Sequence, residues 1–158
     1  MKDWDELFRL VWSFGEEGFK RYVRGFLVDS KRLVREMDAL DLQIVSQYVP
    51  EVFWRRLREK DLRLYAIDVL LEYARGGASG EASLEGAESL LILNSLFWRR
   101  FKRSSMRKSD RLRPREDYYL QMGAFFYRMS YLSHGSLVYR LMDLHYRVLV
   151  EELRKLKA

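Results

Sequence analysis

Ser136-Leu-Val-Tyr-Arg-Leu-Met-Asp-Leu-His-Tyr-Arg-Val-Leu-Val-Glu-Glu-Leu153 is the stretch that decides the fold. Its apolar residues Val138, Leu141, Met142, Val148, Leu149 and Leu153 recur at helical spacing, which gathers them on one side of an α-helix. Ser136 suits the amino-terminal cap. Arg154, Lys155 and Lys157 follow, cations favoured at a helix carboxyl end.

The same period runs through most of the chain, with little sustained alternation. Upstream of the Ser133–Gly135 turn, Tyr118, Tyr119, Met122, Phe125, Phe126 and Met129 form a helix that Pro114 can open. Ser83 suits the cap of a helix running to about Arg103. At the start of the chain, Asp3 and Glu6 have capping-box spacing, ahead of a helix that ends near Gly15. A second helix spans about Glu16 to Val28. A third starts at Asp29 or Ser30 and turns Leu33, Val34, Met37 and Leu40 inward. Asp41 is expected to cap a short helix that stops before Pro50, where another begins. The expectation is an all-α antiparallel bundle of about seven or eight helices in one domain, residues 1–158. The Gly76-Gly-Ala-Ser-Gly80 link allows two helical halves sharing one core.

Composition narrows the class. The chain has 158 residues and no cysteine, which excludes a disulfide framework and any Cys-based metal site. Two histidines and the absence of paired Glu-x-x-His motifs argue against a di-iron bundle. No P-loop, Gly-x-Gly-x-x-Gly or Gly-x-Ser-x-Gly motif is present. The expectation is a non-enzyme with no cofactor and no metal. No stretch reads as a signal peptide or a bilayer span, so a cytoplasmic location without membrane contact is expected.

The formal charge is +6, and its distribution is uneven. Residues 1–50 carry a net −1, residues 51–100 a net 0 and residues 101–158 a net +7. Arg99, Arg100, Lys102, Arg103, Arg107, Lys108, Arg111, Arg113 and Arg115 crowd into 17 residues with Asp110 as their one acid. Like charges at this density repel, and an anion relieves the repulsion. Arginine outnumbers lysine seven to two, and its planar fork bonds phosphate oxygens bidentately. The segment, with a loop at about 104–113, is the candidate nucleic-acid contact, for RNA or DNA backbone. An acidic protein surface and a merely solvated loop are the competing readings.

Aromatic residues make up 15% of the chain. Trp98, Phe101, Tyr118 and Tyr119 flank the basic segment and are the candidates for stacking on bases. Most other rings fall on core-facing helical positions. Phe53-Trp-Arg-Arg-Leu57 echoes Phe97-Trp-Arg-Arg-Phe101, and the flanking residues do not align.

Two resemblances bear on function. Arg140-Leu-Met-Asp-Leu-His145 resembles the Arg-x-x-x-x-His motif of the HEPN family, helical domains that cleave RNA without metal, usually as dimers. Leu141 stands where that family usually has a polar residue. This resemblance implies an RNase using Arg140 and His145; the competing reading is a structural histidine. Asp117-Tyr-Tyr-Leu-Gln-Met-Gly-Ala-Phe-Phe-Tyr-Arg-Met-Ser130, with the size and basic surface, resembles a small subunit of a class 1 CRISPR effector complex. It equally resembles the helical carboxyl-terminal part of a large subunit. That implies a non-catalytic member of a ribonucleoprotein, stacked with copies of itself and other subunits along a guide RNA–target duplex or displaced single-stranded DNA. A helical adaptor meeting an acidic partner is the third reading.

Overall fold

The structure is a computed structural model that describes residues 2–59, 80–98 and 116–156. These residues form six helices and no strand: α1 Lys2–Val28, α2 Lys31–Glu36, α3 Ala39–Glu59, α4 Gly80–Ser95, α5 Glu116–His134 and α6 Leu137–Leu153. The all-helical expectation holds. The Gly-rich link at 76–79 lies outside the described residues, while Gly80 opens α4.

Each boundary has a local cause. Gly15 adopts φ 65°, which breaks the regular path of α1 where the sequence suggested a stop. Ser30 caps α2 by accepting the Leu33 N–H through its hydroxyl at 3.3 Å. Asp38, not Asp41, caps α3, its Oδ1 accepting the Leu40 N–H at 3.0 Å. Gly135, at φ 69°, makes the tight turn between α5 and α6.

Pro50 does not end a helix as expected; α3 runs through it to Glu59. A proline inside a helix costs about 3 kcal/mol. Val49, Val52 and Phe53 are completely buried around it, and each contributes about 1.5–3 kcal/mol by leaving water. Packing therefore outweighs the missing hydrogen bond. Val34 and Leu40 are also not inward: they are 56% and 63% exposed, while Leu33 and Met37 are buried.

One apolar cluster draws on all six helices. α4 is its axis: Ala87, Leu90, Leu91, Ile92 and Leu93 are buried, and so are the polar Ser83, Glu88, Ser89, Asn94 and Ser95. A helix buried on every side lies inside the bundle. α4 packs most extensively against α5, α5 against α6, and α1 against α3. Ion pairs tie the outer elements: Lys20 to Glu51 at 2.7 Å joins α1 to α3, and Arg32 to Glu151 at 2.7 Å joins α2 to α6.

Candidate nucleic-acid interface

The nine cations from Arg99 to Arg115 lie outside the described residues; the structure describes the two stems that carry them. Regular helix in α4 ends at Ser95, short of the expected Arg103. Leu96 and Phe97 both donate their N–H groups to the Ile92 carbonyl, at 2.9 and 3.2 Å. Ser95 returns its hydroxyl to the Leu91 carbonyl, a bond that competes with continuing the helix. Phe97 is buried and Trp98 half-buried.

A buried polar knot joins this stem to the other. Asn94 Nδ2 donates to the Tyr119 carbonyl at 3.2 Å and to the Tyr146 hydroxyl at 2.9 Å. Arg154 Nε donates to the Asn94 carbonyl at 2.8 Å, satisfying a carbonyl that the helix end leaves open. The same guanidinium lies over the Trp98 ring, 4.3 Å from its centroid. The last turn of α4 and the first turn of α5, which flank the basic segment in the sequence, are thus held side by side. Gly123 makes room for the knot: a Cβ there would fall 2.1 Å from the Tyr146 hydroxyl. Burial pushes the Tyr146 pKa up, with the Asn94 hydrogen bond and the Arg154 charge opposing, so the phenol stays neutral and accepts the Asn94 proton.

The flanking rings divide. Tyr119 is buried, and Trp98 is covered by Arg154. Tyr118 is exposed and meets Tyr119 edge-on, ring centroids 5.9 Å apart. Phe101 lies outside the described residues. Of the four candidates, Tyr118 is the described ring that faces water.

Arg140 is exposed and His145 half-buried. Five positions apart on α6, they point about 140° apart around its axis. No group of three His, Asp or Glu side chains among the described residues could hold a metal ion. No helix of the described residues is long and apolar enough to cross a membrane.

The second polar cluster surrounds Glu88, 1% exposed. Arg55 Nη2 reaches its carboxylate at 2.7 Å, and Arg56 reaches it through Nε at 3.1 Å and Nη2 at 2.8 Å. Tyr48 donates its hydroxyl proton to Glu88 at 3.0 Å, and the hydroxyls of Tyr48 and Tyr127 are 3.2 Å apart. Burial first, and the Glu88 charge second, hold the Tyr48 pKa far above that of a free phenol. Burial acts on Tyr127 in the same direction, with the charges of Tyr48 and Glu88 adding to it. A carboxylate neutralised by two arginines and closed from water is a structural clasp between α3 and α4. The arginine pair of the first aromatic–arginine echo is therefore engaged with a buried carboxylate of the fold.

Comparison with protein-family models, with curated proteins and with solved structures finds no match to this chain in any of the three. Sequence reading passed over Glu88, Gly123 and Tyr146, and took Arg154 only as a cation at a helix carboxyl end. A usable signal existed: Asn94 and Ser95 interrupt an apolar run, and a polar pair there needs buried partners.

Proposed function

We propose that the chain is a non-catalytic, cytoplasmic subunit that binds the phosphate backbone of RNA or DNA through Arg99–Arg115, inside a larger ribonucleoprotein such as a CRISPR interference complex. The observation that carries this reading is the density of cation in that segment, net +8 over 17 residues in a chain whose first hundred residues are balanced. The paired stems support it, because the described residues on the two sides of the segment are tied together through Asn94 and Tyr119. Phosphate contacts dominate, and exposed Tyr118 adds a ring beside them.

The test is fluorescence anisotropy with single-stranded RNA, single-stranded DNA and RNA–DNA duplex across a salt series. Arg103, Arg107, Lys108 and Arg111 changed together to Ala should abolish binding at low salt. For any remaining affinity, the slope of log K against log salt should be shallower by about 3 for single strands, since four phosphate contacts are lost at about 0.7 each. Unchanged affinity and slope reject the reading.

A further inference from the structure

The polar knot beside Trp98 leaves two hydrogen-bonding functions over. Asn94 is wholly buried and Tyr146 nearly so. Asn94 uses both amide protons, on the Tyr119 carbonyl and the Tyr146 hydroxyl. Its Oδ1, screened from solvent, finds no donor among the described residues. The Tyr146 hydroxyl accepts from Asn94, and burial holds its pKa up, so it keeps a proton of its own. No acceptor among the described residues takes that proton. Buried polar groups of a folded chain are seldom left in this condition.

Reversing the Asn94 amide does not resolve the mismatch. Exchanging its oxygen and nitrogen would give Tyr146 an acceptor. It would also set the amide oxygen against the Tyr119 carbonyl at 3.2 Å, acceptor on acceptor.

We infer that one buried water bridges Asn94 Oδ1 and Tyr146 Oη, accepting the phenol proton and donating to the amide oxygen. The chemistry selects water among small species, because the site asks for an acceptor and a donor at once. An anion only accepts, and it would face the amide oxygen; a metal cation cannot take the phenol proton, and it would face the Arg154 charge. The spacing fits one molecule. Amide oxygen and nitrogen lie about 2.3 Å apart. Nδ2 is 2.9 Å from the Tyr146 hydroxyl, which places Oδ1 within about 5.2 Å of it. Two O–H···O bonds of about 2.8 Å each span that distance. Arg154 offers a third contact: its buried Nη2 sits on the same edge of the guanidinium as the Nε that holds the Asn94 carbonyl, with parallel N–H bonds. Two or three polar partners are what an internal water needs. The water thus adds a second link between α4 and α6, and it holds whether or not the chain binds a polyanion.

The test is a crystal structure of the full chain fine enough to place solvent, paired with magnetic relaxation dispersion of the water nuclei, which counts long-lived waters. The expected result is a density peak within hydrogen-bond distance of both Asn94 Oδ1 and Tyr146 Oη. In Tyr146→Phe the dispersion amplitude should fall by the equivalent of about one water, with circular dichroism unchanged because Asn94 still holds the Tyr119 carbonyl. A parent structure with no peak there, with the Asn94 amide reversed, or with a protein donor on Oδ1 overturns the inference. So does a dispersion amplitude equal in parent and variant. Should Tyr146→Phe fail to fold, the density in the parent decides alone.

Discussion

The Arg154 guanidinium sits over the Trp98 ring at 4.3 Å while its Nε holds the Asn94 carbonyl at 2.8 Å. One side chain from the end of α6 thereby fixes both the end of α4 and the aromatic residue that immediately precedes the basic segment.

Arg154→Ala removes a cation–π contact of about 0.5–1 kcal/mol and a charged hydrogen bond of about 1.5–3 kcal/mol. Urea denaturation should show a loss of about 2 kcal/mol, with a shift in tryptophan emission. Arg154→Lys should recover little of it, because an ammonium group lacks the flat fork that serves both partners.

Gly123→Ala should be among the most damaging single changes, at about 3 kcal/mol or more from overpacking. Adding Tyr146→Phe should not rescue it, since the ring atoms Cζ and Cε1 also lie 2.3 and 2.7 Å from the new Cβ. Tyr146→Phe alone should cost only about 1 kcal/mol, the value of a net hydrogen bond. Thermal melts of the three variants distinguish ring from hydroxyl.

Glu88→Ala strands two guanidinium groups. Complete burial of an unpaired charge costs about 3–5 kcal/mol, but Arg55 is 48% exposed and Arg56 17%, so hydration reduces the loss to about 2–3 kcal/mol. Arg55→Ala should cost under about 1 kcal/mol. A double-mutant cycle on Glu88 and Arg56 should show the larger coupling.

Glu152 gives a pH signature. Burial alone would raise its pKa; hydrogen bonds from Lys155 and Ser30, and the charges of Lys155 and Arg32, outweigh it and leave the value lowered. A depressed folded-state value contributes stability that is present above the unfolded pKa of about 4.3 and lost as pH falls through the folded value. Glu152→Gln should be less stable than the parent at neutral pH and converge with it in acid. Denaturant midpoints measured across that range check the sign.

The all-helical class was readable because apolar spacing survives any packing arrangement. Leu141, Met142 and Leu149 belong to the core as their period requires. Pro50 misled because local propensity ignores what Val49, Val52 and Phe53 bury on either side. Val34 misled because a six-residue helix such as α2 turns few positions inward, and Leu40 because it belongs to the first turn of α3 and not to the helix of Leu33. The basic cluster was visible as composition, yet nothing local in Trp98 or Asn94 announces a guanidinium arriving from 60 residues downstream. Glu88 likewise carries no local sign of its role, since its partners Arg55 and Arg56 come from another helix.

Asn94 and Tyr119 tie together the two helices that flank residues 99–115 in the sequence. The knot they form with Tyr146 and Arg154 takes none of its hydrogen bonds from residues 99–115. The join between α4, α5 and α6 is therefore specified by residues on the three helices and the cap of α6, and evolution or design can hold those four positions fixed while varying charge elsewhere in the chain.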